Sequence, residues 1–414
     1  MLPWLGIANL LAHLHTLASS SDCSDAGMME LIDDIGKGKY PNTHALLVEH
    51  EGVLVCERYF AGHDQRWGTP IGKRMLGKDD LHDLRSVSKS VTSLLLGIAL
   101  SEYAAPVEAA INRSLASFLP MSVMKEKHSI TLHHALTMTT GLQWNEMTEP
   151  YSSADNDEIR LYQFQTFNET TSFVVSKSLV SSPGTTWYYN GGLTQVLAHI
   201  VVLLSGKPLA DYAQAVLFEP LGIKHFEWLG VGEPSAASGL RLRARDLAKI
   251  GSMVLNRGQW EGQQVVPQVW LELSTARWVA EIGSWSDGGQ WGYGYQWWVG
   301  VRQDVGPVVC ASGNGNQRLC MVPGRRLVVT IFAGEYGIFE GHSERILRSV
   351  SIAFPKTTPT TASTDKEQTT TRESNEASSA QARQTAVANS TLLFALASAL
   401  VSLVTLRYTT ACAS

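Results

Sequence analysis

The sequence predicts a mixed α/β (α+β) fold. One antiparallel sheet is built from both ends of a domain spanning about 25–355 and is flanked by helices, with a mainly helical segment inserted at about 105–235. Three observations predict it. Two strand-like runs, ALLVEH and GVLVCERYF, stand near the start, and GPVVCA, RLCMVP and RRLVVTIFAG stand near the end. Between them, apolar residues recur mainly at helical spacing. Strands at both ends with helices between them are best satisfied by a single layered domain.

Taken in order, the first twenty residues, MLPWLGIANLLAHLHTLASS, are apolar, lack acids and end in small side chains. That is the pattern of a secretory signal over 1–21, although no Lys or Arg precedes the apolar stretch; a buried N-terminal helix is the other reading. A short helix is expected near 29–35. A tight hairpin should follow, turning at His50-Glu51-Gly52. After Ser86, residues Val87, Val91, Leu94, Leu95 and Ile98 mark a long helix, and Leu193, Val196, Leu197, Ile200 and Val201 mark another. An amphipathic helix holding Ile346, Leu347 and Val350 closes the domain.

Beyond it the composition changes. Residues 356–390 are Thr, Ser, Gln, Glu and Ala with almost nothing to bury, which reads as a disordered stalk. The apolar run at 391–406 is short for a spanning helix. It reads as a marginal membrane anchor or as a glycolipid-anchor signal, with a dispensable low-complexity tail as the alternative. Sequons begin at Asn112, Asn168 and Asn389. Together these features lead us to expect a chain in the secretory pathway, held at the cell surface by its C-terminal tail. Of five cysteines, Cys412 lies in that tail. Cys310 and Cys320 flank the turn-like SGNGNQ, so a hairpin near Gly315 would set them opposite each other and leave Cys23 with Cys56. Four buried free thiols is the alternative. A formal charge of −5 argues against nucleic acid as a partner. No His-Glu-x-x-His or other zinc-type spacing is present, nor a glycine loop for phosphate, so neither a metal nor a cofactor is expected. His133-His134 reads as packing, and Trp285, Trp291, Trp297 and Trp298 as part core and part pocket wall.

Three segments have a chemistry. Ser86 and Lys89, three apart on a helix, share a face. A helix N-terminus favours negative charge on the serine oxygen, and a lysine beside it can take the hydroxyl proton. The same spacing occurs at Ser122/Lys125 and Ser363/Lys366, but only Ser86 opens a long apolar helix. A helix-capping serine is the plain alternative. In Tyr188-Tyr189-Asn190, an extended conformation would point Tyr188 and Asn190 to one side, the tyrosine as general base and the amide as a substrate or lysine partner. A loop tyrosine with a capping asparagine is the alternative. Finally, Ser312-Gly313-Asn314 closes a strand, offering a serine donor and an Asn314 N–H to pair with that of Ser86 as an oxyanion hole. A simple hairpin turn would look the same.

The order of these elements resembles the superfamily of class C β-lactamases, serine esterases and 6-aminohexanoate-dimer hydrolases. The blocks DLRSVSKSVTSLLLGIAL, ITLHHALTMTTGLQWNE, SSPGTTWYYNGG, ASGLRLRARDLAKIG and ASGNGNQRLCMVPGRRLVV extend the resemblance over about 43–353. It implies attack by Ser86 on a small ester or amide, proton transfer by Lys89 and Tyr188, and an acyl-enzyme released by water. One departure stands out. The family's third motif often begins with Lys or His, and here it begins with Ala311. That weakens a β-lactamase or D-Ala peptidase reading and favours a neutral substrate, unless Arg318 or Arg241 supplies the cation. A non-catalytic binding or scaffold protein of the same fold remains the alternative of another class.

Overall fold

A computed structural model describes residues 23–355, apart from 105, 121–126 and 285–287. The expected signal, the stalk, the apolar tail, Trp285, Asn389, Cys412 and the other two Ser-x-x-Lys pairs lie outside the described residues.

Strands β1 (Thr43–His50) and β2 (Val53–Tyr59) form the expected hairpin, with Glu51 and Gly52 both at positive φ in the two-residue turn. Strand β3 (Ala61–Arg66) pairs with β4 (Thr69–Met75) in a separate ribbon. The short β5 (His82–Asp83) joins β6 (Glu227–Trp228) and β7 (Leu240–Leu242) in a third sheet. The C-terminal part supplies β8 (Val279–Ser284), β9 (Gln290–Tyr293), β10 (Trp298–Arg302), β11 (Gly306–Gly313), β12 (Gln317–Val322) and β13 (Leu327–Ala333). The main sheet is antiparallel with order β8-β9-β10-β11-β12-β13-β1-β2. Both ends of the domain therefore meet at the β13–β1 pair, where Leu47 faces Thr330.

Both faces of this sheet are covered, which the alternation along β1 makes plain. Ala45 and Leu47 belong to one core and Leu46 and Val48 to the other. The second core is closed by α1 (Ala26–Gly36) and α6 (His342–Ala353). Against the first lie α2 (Val87–Tyr103) and α5 (Ala244–Leu255), with α3 (Phe167–Ser176) and α4 (Gly191–Ser205) beyond them in the helical segment. Helix α2 is buried along most of its length because helices and sheet surround it. Its apolar residues could have marked an amphipathic helix; they mark a central one. Among the described residues no single helix is long and apolar enough to cross a membrane.

Two disulfides form, Cys23–Cys56 and Cys310–Cys320, the latter between directly opposed residues of β11 and β12. The first ties the start of the described chain to β2 across a sequence separation of 33. Replacing both of its cysteines with alanine is expected to lower stability by about 2–4 kcal/mol, read from the urea midpoint at constant m.

Candidate active site

Residue Arg85, just before the nucleophile candidate, has φ +49, a left-handed conformation that costs energy for a non-glycine residue. It is held there by an ion pair with Asp83 at 3.2 Å and by stacking on the Tyr336 ring. The turn delivers Ser86 to the N-cap of α2, yet the serine side chain makes no cap hydrogen bond. Its Oγ instead accepts a hydrogen bond from Lys89 Nζ at 3.0 Å. The capping reading of Ser86 is thus not what the side chain does.

Lys89 is 1% exposed. Besides Ser86, its Nζ donates to the Ala237 carbonyl at 3.1 Å and lies 3.9 Å from Glu146 Oε1. The ring of Tyr189 is 5.0 Å from Nζ. Burial pushes the Tyr189 phenol well up, the Glu146 charge adds to this, and a hydrogen bond with Ser86 acts against both. Tyr189 therefore rests as a neutral phenol beside the serine.

The structure brings Tyr189, not Tyr188, to Ser86. Tyr188 is 43% exposed, lines neither cavity at the site, and its backbone N–H donates to Met138. Neighbouring residues of an extended segment point to opposite sides. Here Trp187 and Tyr189 turn inward, onto Trp298, while Tyr188 turns to solvent. Asn190 is likewise outside the cavities. Its Oδ1 accepts from Leu193 N–H at 3.0 Å and caps α4, the plainer of its two readings.

Ser86 opens onto two adjoining cavities, of about 320 and 780 Å³. The smaller is walled by Trp291, Trp298, Ser312, Gly313, Asn314 and Arg318. The larger extends past Trp67, Glu146, Glu158, Tyr162 and Ser238. Gly313 packs onto the Leu84 carbonyl, where a Cβ would come within 2.4 Å, so β11 ends against the turn that carries Ser86. Ser312, Gly313 and Asn314 thus line the same cavity as Ser86.

Ala311 does not face the cavities; its methyl is buried in the core on the α2 side of the sheet. A cation is present all the same. Arg318 stands directly across from Ser312, hydrogen-bonds its Oγ, and lines the smaller cavity. Burial lowers its pKa, partly offset by Glu344. Arg241 is occupied elsewhere, by Asp83 at 2.7 Å and Glu227. Of the tryptophans, Trp297 is core and Trp298 is wall. His133 packs on Tyr295 and Trp278.

Two carboxylates escaped sequence reasoning. Glu146 accepts from Trp144 Nε1 at 2.9 Å, Tyr151 OH at 3.1 Å and Gly191 N–H at 2.6 Å. Glu158 lies beside it. A Cβ on Gly191 would come within 1.9 Å of Glu158 Oε2 and 3.1 Å of Glu146 Oε2, so the start of α4 leaves room for both acids only because residue 191 has no side chain. The one available signal was the position of Glu146 inside the QWNE block.

Burial pushes the Glu158 carboxyl up to about 7, with Glu146 adding to the rise. At this carboxyl the folded chain holds a proton that the unfolded chain loses between about pH 4.3 and about pH 7, so the contribution of Glu158 to stability falls as pH rises through that window. Glu158→Gln is expected to flatten this slope, measured by urea unfolding at a series of pH values.

Comparison with known proteins places the chain in a family. The beta-lactamase family model matches residues 37–347, and the chain belongs to that family. It is 28% identical over 182 residues to esterase EstB of Burkholderia gladioli, covering 43% of this chain and 45% of that protein. It is 26% identical over 248 residues to the 6-aminohexanoate-dimer hydrolase of Paenarthrobacter ureafaciens, covering 56% of each. The matches thus span about half the length of these relatives. Among solved structures, a putative 6-aminohexanoate-dimer hydrolase from Bacillus anthracis superposes with a TM-score of 0.61 at 22% identity, over 78% of this chain and 81% of that one.

Proposed function

We propose that the chain is a serine acyl hydrolase that cleaves an ester or amide through an acyl-enzyme on Ser86, with Lys89 and Tyr189 as its proton-transfer pair. The observation that carries this is the Lys89 Nζ–Ser86 Oγ hydrogen bond, made by a serine that caps no helix and opens onto both cavities. Ser86 Oγ attacks the acyl carbon as its proton passes to Lys89 Nζ, which enters this step as the free amine and hands a proton on through Tyr189 to the leaving group. Backbone N–H groups at Ser86 and Asn314 take the oxyanion. Tyr189, neutral at rest, suits the donation of a proton to the departing alcohol or amine. Water then attacks the acyl carbon, and Ser86 recovers its proton. Trp298, Met147 and Phe339 give the smaller cavity apolar walls for an acyl or aryl group.

A second reading has its own observation. Arg318 places a guanidinium in the cavity beside Ser312, where a substrate carboxylate would meet it. That supports β-lactam or D-Ala peptide turnover, despite Ala311. We also read the chain as folding in an oxidising compartment, with the two disulfides as support.

The test is turnover of short-chain p-nitrophenyl esters and of nitrocefin, side by side, by the full-length chain. Ester turnover without nitrocefin turnover supports the first reading. Nitrocefin turnover that Arg318→Gln abolishes supports the second. If the folded protein turns over neither and takes no label from a fluorophosphonate, the hydrolase reading fails in favour of a binding or scaffold protein.

A further inference from the structure

Away from the catalytic cavities, three buried side chains converge from three different sheets. His44 on β1, Asp64 on β3 and His82 on β5 are 1%, 5% and 0% exposed. His44 Nδ1 lies 2.8 Å from His82 Nε2, and His82 Nε2 lies 3.4 Å from Asp64 Oδ1. All three atoms fall within 4.8 Å of one another.

The protons cannot be placed to satisfy this cluster. His82 Nδ1 is 3.1 Å from the Asp83 carbonyl. A carbonyl only accepts, so that nitrogen carries the proton and Nε2 presents a lone pair. The His44 ring meets the His63 carbonyl, and its Nε2 closes no hydrogen bond. If Nε2 carries the His44 proton, two bare nitrogens and a carboxylate oxygen face one another. If Nδ1 carries it, a buried lone pair is left against a carbonyl. Either arrangement strands a buried polar atom, which is costly. Asp64 Oδ2 also closes no hydrogen bond, Arg74 Nε standing 3.6 Å away. Its Oδ1 is fixed by Gln65 N–H at 2.8 Å and Tyr336 OH at 3.2 Å.

We propose that His44 Nδ1, His82 Nε2 and an Asp64 carboxylate oxygen form a structural site for a zinc-like divalent metal ion. A cation at the convergence takes all three lone pairs. The far nitrogen of each ring is then free to donate to a backbone carbonyl, the outer arrangement that orients metal-binding imidazoles. Two nitrogens and an oxygen suit zinc or a neighbouring first-row ion rather than calcium or magnesium. The surrounding backbone is shaped to the ring, because a Cβ on Gly62 would come within 2.5 Å of His44 Nε2. The three residues line neither catalytic cavity, which assigns the ion to holding the fold rather than to chemistry. It would rivet the main sheet, the β3–β4 ribbon and the β5 strand that leads into Ser86. No sequence motif announces it, since the three residues are spread across the first strands.

The test is metal content of the full-length chain, stripped with a chelator, equilibrated with Zn2+ and dialysed, then measured by plasma mass spectrometry. We expect about one zinc per chain, and a cobalt-loaded form whose visible absorption reports nitrogen ligands. Asp64→Asn keeps the side chain's shape and is expected to weaken zinc binding at least about 10-fold and to remove the zinc-dependent rise in Tm. His63→Ala, at an exposed neighbouring histidine, should retain the metal. Folded wild-type protein that takes up no zinc, or an Asp64→Asn variant that holds it as tightly, overturns the proposal. Should His82→Ala fail to fold, Asp64→Asn alone decides. None of these readouts depends on hydrolase activity.

Discussion

Replacing Ser86 with alanine is expected to lower ester turnover by at least about 1,000-fold while leaving the thermal midpoint nearly unchanged. The size follows from its place in the site. Oγ is the atom that Lys89 Nζ addresses and the one exposed to both cavities. Its removal leaves the cavity walls, the backbone N–H groups and the lysine, which still bind substrate but offer no acyl acceptor. Stability should hold because the side chain makes no cap hydrogen bond and α2 is fixed by its apolar residues. Intact mass spectrometry after exposure to a fluorophosphonate gives the matching readout: one adduct on wild type, none on Ser86→Ala. Full turnover in the variant would remove the nucleophile assignment outright.

Removal of one hydroxyl from Tyr189, as Tyr189→Phe, is expected to cost about 100- to 10,000-fold in kcat, the range of a lost acid–base group. Tyr188→Phe should change kcat less than about 2-fold, in keeping with a surface substitution away from the chemistry. The contrast is useful because the two residues are adjacent. A loss caused by disturbing the segment would affect both variants, whereas a loss of proton transfer affects only the inward one. The phenylalanine at 189 keeps the ring packed on Trp298 and near Lys89 Nζ, so a fall in kcat reports the hydroxyl and not the packing. Equal losses in the two variants would sink the assignment.

That adjacent pair also shows where the sequence was legible. Local patterns carried the β1–β2 turn, the helix behind Ser86, and the hairpin that opposes Cys310 to Cys320, since each is set by residues close along the chain. Which of two neighbouring tyrosines turns inward is a different matter. It is decided by Trp298, more than a hundred residues away, against which Tyr189 packs. Glu146 and Glu158 were hidden for the same reason. Glu146 reaches Lys89, with Glu158 beside it, only because α4 begins at Gly191, and nothing near Lys89 in the sequence points to either acid. The Ala311 position was read correctly as lacking a cation. Arg318 was one of two arginines the sequence offered in its place, and only the β11–β12 pairing, which sets it across from Ser312, separates it from Arg241. The family resemblance could locate the motifs; the geometry had to decide which atom of each motif faces the serine.

The placement of Ser86 at the seam between two unequal cavities has a consequence for redesign. Few side chains other than Met147, Tyr151, Asn314 and Phe339 belong to both walls with Ser86. Variation at Ile338 alters the smaller cavity, and variation at Trp67 or Ile159 alters the larger. Libraries aimed at the two halves of a substrate can therefore be built and screened separately, then recombined with little interference between them.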